Sequence, residues 1–262
     1  MKIRDIAEVL EEWAPLPVAE SYDNVGLLVG NEHAEVTGVL VSLDVTEAVV
    51  NEAAMLGINL IVAHHPIWFS ARKRLNGEDY VSRTIISAIK KDIAIYACHT
   101  NLDHVHSGVN QKICDRLDLR DTRFLQKKTV FNEESYGAGM IGNLAEPLSK
   151  TDFLAKVKSA FHCGGIRYAD TDKTFIGKVA VCGGAGSFLT QEAIRQNADA
   201  LVTADITYHK FFDNEEKILL LDIGHYESEQ YTSVLIRDYL SEKFINFAIR
   251  LSEVITNPVR YF

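Results

Sequence analysis

The chain has 262 residues, 47% of them hydrophobic, which is enough to bury a full core as one large α/β domain or two smaller lobes. Its net charge of −9 at pH 7 argues against a broad surface for nucleic acid, so we do not expect nucleic acid as a partner. No apolar run reaches the roughly 18 residues of a membrane span, and the N-terminal MKIRDIAEVLEEW is typical of an amphipathic helix rather than a signal peptide. We therefore expect a cytoplasmic protein without a membrane partner.

Short apolar, β-branched runs alternate with helical patterns along the first half of the chain. This alternation is typical of stacked β-α units and a largely parallel sheet. The predicted elements are strands in 39–44, 59–66 and 93–104, each followed by a helix, over 47–56, about 80–91 and about 109–117 respectively.

The second half repeats this order of elements. Strands are predicted in 178–186, 199–209 and 217–229. The first is followed by a helix over 189–196, the second by a short helix, and the third by a helix that ends near residue 244. Because element order matches while residue identity is low, we infer an internal duplication, with convergent α/β topology as the alternative. Between the halves, the pattern predicts a glycine-containing strand over 135–144, a capped helix over 151–161 and a short strand over 166–170.

The predicted organisation is therefore two similar α/β lobes and a C-terminal segment. Residues 1–125 form the first lobe and residues 126–245 the second. Residues 246–262 carry a strand pattern that we expect to pack back on the lobes.

Two adjacent histidines, His64 and His65, follow the buried run LIVA. They are placed at the carboxyl end of a predicted strand, where ligands bind in open α/β sheets. Neighbouring residues of a regular strand point to opposite faces, so both rings converge only if the strand ends there, and Pro66 favours such an end. The alternative is one core histidine and one solvated histidine, and the pair alone does not decide between them.

Residues of types that bind metal ions also follow two further predicted strands. Asp103 follows the third strand, where we expect it in a loop over the sheet edge; the alternative is a cap of the next helix. His225 and Glu229 are four residues apart, on one face of a predicted helix, although an isolated H-x-x-x-E motif is weak. Three imidazoles and two carboxylates suit two divalent ions, such as zinc, manganese or iron, that share a carboxylate. We predict Glu229 as the bridge, with Asp103 as the second choice.

Other polar residues near these strand ends are predicted to support the site. His99, His209 and Asp205 are candidates for orienting ligands or moving protons. The GGAG sequence at 183–186 could receive a phosphate, but a tight strand-to-helix turn explains it better because it lacks a phosphate-loop motif. The basic run 72–74 is either a phosphate contact or a solvated loop.

Six ordered blocks resemble the NIF-three-like family, also known as GTP cyclohydrolase 1 type 2 homologues. The blocks are ESYDNVGLLVG, AHHP, HTNLDH, VCGGAG, TADITYH and GHYESE. The resemblance implies metal ligands at the five predicted positions, a three-layer α/β/α fold of two similar intertwined lobes with mixed sheets, and a homohexamer. Some 60 residues between the halves leave no room for the domain that many bacterial members insert there, so the chain resembles the short form.

The leading functional hypothesis is a dinuclear metal-dependent hydrolase acting on a nucleotide or another phosphate-containing small molecule. The alternative is a metal-binding assembly or regulatory protein without turnover. Open coordination positions beside a pocket would favour the enzyme, and closed coordination would favour the scaffold.

Overall fold

A computed structural model describes residues 1–262, which form two compact units, each built on its own mixed β-sheet. The first unit contains Met1–Leu102 and Thr232–Asn257, and the second contains Asp103–Tyr231 and Pro258–Phe262. The predicted mixed α/β class is confirmed. The unit boundaries differ from those we predicted at 125/126 and 245/246. The strand Arg120–Phe131 belongs to the second sheet, and the last long helix and the last strand belong with the first.

The first unit contains five strands and four long helices. In chain order these are α1 (Ile3–Trp13), β1 (Gly26–Val29), β2 (Val39–Ser42), α2 (Glu47–Met55), β3 (Leu60–Ala63), α3 (Tyr80–Lys90), β4 (Ala94–Ala97), α9 (Thr232–Lys243) and β11 (Ile249–Leu251). The sheet order is β1-β4-β3-β2-β11, with β2, β3, β4 and β11 parallel and β1 antiparallel to β4. The short strand β11 near the C-terminus pairs with β2 at the edge of this sheet.

Helices cover both faces of this sheet. Strand residues such as Leu40, Ile61 and Ile95 form one apolar cluster with α2 and α3. Tyr96 points to the opposite face, where its hydroxyl donates to Glu11 of α1 at 3.1 Å. Every residue of the three central strands is buried, which explains their continuous apolar runs and gives this unit a helix–sheet–helix arrangement.

The second unit contains six strands. Its elements are α5 (Val109–Arg116), β5 (Arg120–Phe131), β6 (Glu134–Ser149), α6 (Lys150–Phe161), β7 (Arg167–Ala169), β8 (Phe175–Val181), α7 (Thr190–Arg195), β9 (Ala200–Thr203), β10 (Leu219–Asp222) and α8 (His225–Glu229). One helical turn, α4 (Thr100–Asp103), carries the chain from the first unit into the second. Three 3-10 helices complete the structure, at Leu16–Val18, Ser187–Leu189 and Tyr208–Asn214.

The two sheets repeat one connection pattern. The second sheet has the order β5-β6-β8-β9-β10-β7, with β8, β9 and β10 parallel and β7 antiparallel to β10. In the first sheet, β2, β3 and β4 are likewise consecutive and parallel, and the preceding strand β1 is antiparallel to the third of them. The matching order and direction of these four strands in each sheet support the internal duplication that we inferred from the sequence.

The segment between the halves is a long antiparallel hairpin followed by α6 and β7. We predicted part of β6, and also α6 and β7, but not β5, whose charged sequence RDTRFLQKKTVF lacks a regular alternation.

In the whole chain no helix is both long and apolar enough to cross a membrane.

Candidate metal centre

His64 and His65 lie just beyond the end of β3. Their backbone N–H groups donate to Ser42 and Leu43 at 3.3 and 2.9 Å, so the chain continues alongside the end of β2 for two residues. The two rings lie together, with centroids 4.9 Å apart. The strand end therefore lets adjacent histidines converge instead of facing opposite sides of the sheet.

The orientation of each ring is fixed through Nδ1. His64 Nδ1 lies 2.7 Å from the Cys98 carbonyl oxygen, and His65 Nδ1 lies 2.7 Å from a carboxylate oxygen of Asp44. Both partners only accept hydrogen bonds, so Nδ1 carries the proton and Nε2 carries the lone pair whenever the ring is neutral. An acceptor on the far nitrogen of a histidine is the usual arrangement around metal-ligating imidazoles.

His99 joins these two histidines. Its ring lies at T-shaped contact with His64 and His65, and the three side chains offer ligand nitrogens within 4.8 Å of one another. His99 Nδ1 lies 2.9 Å from Asp23. Burial opposes ionisation of that carboxyl, but the hydrogen bonds from His99 and Thr100 lower the pKa of Asp23 to about 2. The first unit therefore holds a group of three imidazoles.

His225 and Glu229 lie at the two ends of α8 in the second unit. His225 Nε2 is 3.0 Å from Glu229 Oε2, and His225 Nδ1 is 2.7 Å from Asp205. Burial favours the neutral ring, but the hydrogen bonds with Asp205 and Glu229 raise the pKa of His225 to about 11. In the metal-free protein the ring is thus an imidazolium between two carboxylates, and a cation bound by Glu229 would compete with its Nε2 proton.

Asp103 provides a second carboxylate near Glu229. Ligand oxygens of the two side chains lie within 4.8 Å of each other. Asp103 ends the helical turn α4, rather than lying in a loop as we predicted, and α5 is capped at Gly108, so Asp103 does not cap it. Asn110 donates from Nδ2 to the Asp103 carbonyl at 2.9 Å and accepts from Gly183 N–H at 3.0 Å. Asn110 therefore ties Asp103 to the glycine turn after β8.

The glycines of the GGAG turn make room for Glu229. Gly184 has φ +58°, and a Cβ built there would lie 2.6 Å from Glu229 Oε1 and 3.2 Å from His225 Cε1. A Cβ on Gly183 would lie 3.2 Å from Glu229 Cγ. The turn is closed by Gly184 N–H donating to Ser228 Oγ at 3.0 Å. This supports the tight-turn interpretation of GGAG and adds that its glycines accommodate the buried carboxylate.

The family model for Duf34/NIF3 (NGG1p interacting factor 3) matches residues 1–258. The chain belongs to the Duf34/NIF3 family. It is 34% identical over 244 residues to a Clostridium perfringens protein named GTP cyclohydrolase 1 type 2 homolog, covering 93% of this chain and 92% of that relative.

Solved structures of similar proteins share the fold. A Staphylococcus aureus hypothetical protein has TM-score 0.91 and 31% identity, covering 100% of this chain and 99% of its own. A Bacillus cereus protein related to NIF3 has TM-score 0.92 and 26% identity, covering 100% of this chain and 99% of that protein. The NIF-three-like resemblance of the sequence blocks is thereby confirmed.

Within this Duf34/NIF3 chain, the other sequence candidates lie in different surroundings. Asp205 contacts a candidate ligand directly, through His225 Nδ1. His209 lies on the exposed 3-10 helix Tyr208–Asn214, where its ring contacts Tyr208 and Phe212. Arg72 is in an exposed loop and forms an ion pair with Asp79 at 2.8 Å.

The sequence analysis identified neither Asp44 nor Asp23 as a partner of the histidines. Asp44 ends the run VLVSLD, one strand before LIVAHH, and a rule that pairs polar residues at neighbouring parallel strand ends would have found it. Asp23 precedes β1, and becomes a partner of His99 only because β1 runs antiparallel to β4.

The ligand chemistry of the two groups fits a metal ion. The first unit offers three imidazole nitrogens, and the second offers one imidazole and two carboxylates. Nitrogen and oxygen donors of this kind suit zinc, manganese and iron. This Duf34/NIF3 protein therefore carries histidine and carboxylate groups able to hold a metal ion.

Proposed function

We propose that this protein binds two divalent metal ions through His64, His65, Asp103, His225 and Glu229 and hydrolyses a phosphate-containing small molecule. The observation that carries the proposal is the shared geometry of the histidines: each has an acceptor on Nδ1, which directs Nε2 to a ligand role. Histidines with a purely structural role need no such arrangement, yet it occurs at two separate strand ends, after β3 and after β10.

The carboxylates would have separate tasks. Glu229 is 3% exposed and is placed by the glycine turn, so it is our choice for the carboxylate shared between the ions, with Asp103 second. Asp205 and Asp44 would hold the rings of His225 and His65, and keep their Nε2 atoms aimed at a cation. Bound ions of this type polarise a substrate oxygen and lower the pKa of water, which is the chemistry of dinuclear hydrolases.

The substrate class rests on the relatives. The Clostridium perfringens relative is named after GTP cyclohydrolase, an enzyme that acts on a nucleotide. For this chain we propose a nucleotide or another phosphate ester. The basic residues Arg72, Lys73 and Arg74, all exposed in one loop, would offer positive charge to its phosphates.

The test is a turnover screen of metal-reconstituted protein against nucleotides and phosphoesters, with zinc, manganese and iron supplied separately. Asp103→Ala should abolish any metal-dependent turnover, since it removes a ligand. Asp115→Ala, an exposed carboxylate on the helix α5, should leave turnover unchanged and serves as the matched control.

Two outcomes would contradict the proposal. Turnover that persists unchanged in Asp103→Ala would place the catalyst elsewhere. Stoichiometric metal binding with no turnover of any substrate would favour the alternative, a metal-binding assembly or regulatory protein.

We also propose that the protein assembles as a homohexamer in the cytoplasm. The proposal rests on the family resemblance. Light scattering should give about six times the protomer mass of 29.3 kDa, and a 29.3 kDa particle across the micromolar range would refute it.

A further inference from the structure

One buried carboxylate joins the two loops that carry Asp205 and His225. Asp222 is the last residue of β10 and is 5% exposed. Its Oδ2 accepts from the backbone N–H of Ile206, the residue after Asp205, at 2.9 Å. Its Oδ1 accepts from the backbone N–H of Gly224, the residue before His225, at 3.1 Å. Each hydrogen bond therefore lies one residue away from a member of the Asp205–His225 pair.

Both loops contain a left-handed backbone conformation. Asp205 has φ +53° and Gly224 has φ +93°. The left-handed region is unfavourable for a residue with a side chain, so Asp205 needs support from its surroundings. The hydrogen bonds from Ile206 and Gly224 to Asp222 provide this support on both sides. Asp222 thus stabilises the turns that bring Asp205 within 2.7 Å of His225 Nδ1.

Arg167 holds the same carboxylate from the neighbouring strand. It begins β7 and is the residue opposite Asp222 in the antiparallel pairing of β7 with β10. Its guanidinium donates to Asp222 Oδ2 and, at 3.0 Å, to the Ile206 carbonyl oxygen. A buried carboxylate is stable only when it is paired and hydrogen-bonded, and Arg167 supplies the balancing charge. The Ile206 peptide is therefore fixed through both its N–H and its carbonyl group.

We propose that Asp222 is a positioning residue for the metal ligand His225. Its carboxylate fixes the two loops, and the loops fix the hydrogen bond between Asp205 and His225. That hydrogen bond directs His225 Nε2 to an ion. This inference rests on the proposed function, which makes His225 a ligand, and adds the residue that holds the ligand and its partner together.

Asp199 provides a matched control at the other end of the same sheet. It directly precedes β9, and its Oδ2 accepts from the backbone N–H groups of Gly177 and Lys178 at 2.9 and 2.8 Å. Lys173 donates to its Oδ1 at 2.7 Å. Asp199 thus has two backbone donors and one cationic partner, as Asp222 has. It lies at the amino ends of the parallel strands, whereas the candidate ligands follow their carboxyl ends.

The experiment measures zinc affinity by calorimetry, and Tm, on the full-length protein. Asp222→Asn replaces one accepting oxygen with an amide group that cannot accept a hydrogen bond, so at least one loop contact is lost. Zinc affinity should fall about tenfold or more, the loss that follows removal of a residue that orients a metal ligand. Asp199→Asn should also lower Tm, but it should leave zinc affinity unchanged. Unchanged zinc affinity in Asp222→Asn, or an equal loss in Asp199→Asn, would overturn the proposal.

A double variant shows whether Asp222 acts through Asp205. In Asp205→Ala the hydrogen bond to His225 is already lost, so adding Asp222→Asn should cause little further loss of zinc affinity. If the two losses multiply, Asp222 does not act through this pair and the proposal is overturned. If circular dichroism shows that Asp222→Asn is unfolded, the exposed Arg167→Met decides instead. Weaker zinc binding in Arg167→Met then supports the proposal, and unchanged binding overturns it.

Failure of the proposed function is distinguishable from failure of this inference. If the wild-type protein binds no zinc, manganese or iron, the metal site is refuted. Crystal structures of the metal-free variants then test the positioning step alone. The 2.7 Å contact between Asp205 and His225 Nδ1 should be lost in Asp222→Asn and kept in Asp199→Asn. A contact that is kept in Asp222→Asn would overturn the inference.

Discussion

Gly184 offers a direct test of how the glycine turn supports Glu229. Its φ of +58° lies in the left-handed region, where a side chain costs about 1 to 2 kcal/mol. In addition, the Cβ of Gly184→Ala would lie 2.6 Å from Glu229 Oε1, closer than van der Waals contact permits. Because that oxygen ends a flexible side chain, it can move away, and the main consequence should be a displaced ligand rather than an unfolded protein.

Gly57→Ala separates the two effects. Gly57 has φ +67° and no heavy atom within 4 Å of a built Cβ, so this variant carries the backbone strain alone. Both variants should lower Tm by a few degrees, since about 1 kcal/mol corresponds to roughly 2 to 4 °C in a protein of this size. Only Gly184→Ala should also lose metal.

The assay combines thermal melting of the metal-free proteins with metal titration of the folded ones. We expect metal affinity in Gly184→Ala to fall about tenfold or more, in line with the loss when a ligand is poorly positioned. If Gly184→Ala binds metal as tightly as the wild type and melts like Gly57→Ala, the close packing of Gly184 on Glu229 has no role in the site.

Three further predictions follow from the same geometry. Glu229→Gln should lower the occupancy of both ions together, whereas His65→Ala should chiefly empty one; two full equivalents in Glu229→Gln by elemental analysis would shift the bridging role to Asp103. Since the pKa of His225 is about 11 in the metal-free protein, metal binding at pH 7 should release a proton, and the affinity should fall up to about tenfold for each unit by which the pH is lowered. Calorimetry that gives the same binding heat in buffers of different ionisation enthalpy would contradict this. In the metal-free protein the pKa of His225 is raised from its ordinary 6.5 to about 11, so the charged ring stabilises the folded state fully below pH 6.5. This stabilisation is lost as the pH rises towards 11, and the Tm of His225→Gln should not show this dependence on pH.

The central strands and long helices were predictable because their signals are local. Runs such as LIVA and ALVT are buried on both faces, and each gives an uninterrupted apolar segment of strand length. Thr46 and Asp79 start α2 and α3 by accepting from Val49 and Ser82 backbone N–H groups, a pattern visible in sequence. Strand β5 escaped prediction because pairing with β6, rather than burial of one face, makes it a strand.

The ligand types at the strand ends were predictable for a related reason. Parallel strands bring their carboxyl ends to one edge, so a histidine after β3 or β10 is placed there by topology. The partners that aim the rings were not predictable in the same way. The contact of His99 with Asp23 depends on the antiparallel edge strand β1, and that of His64 with the Cys98 carbonyl depends on a backbone atom that no residue type reveals.

The duplication explains where ligands can lie, but not which strand end carries them. In the first repeat, Asp44 after β2 holds His65 after β3; in the second, Asp205 after β9 holds His225 after β10. The pair of an aspartate and a histidine on neighbouring parallel strands therefore lies one strand later in the second repeat, because β8 and β9 are the counterparts of β2 and β3.

At the counterpart of Asp44, after β8, the second repeat has the glycine turn that accommodates Glu229. A residue-by-residue comparison of the halves therefore finds little identity at the ligand positions, even though both sheets present their ligands at the same kind of edge. Both repeats have parallel strands whose carboxyl ends are not covered by further strand pairing. A polar residue can therefore occupy such an end in one half without a matching residue in the other.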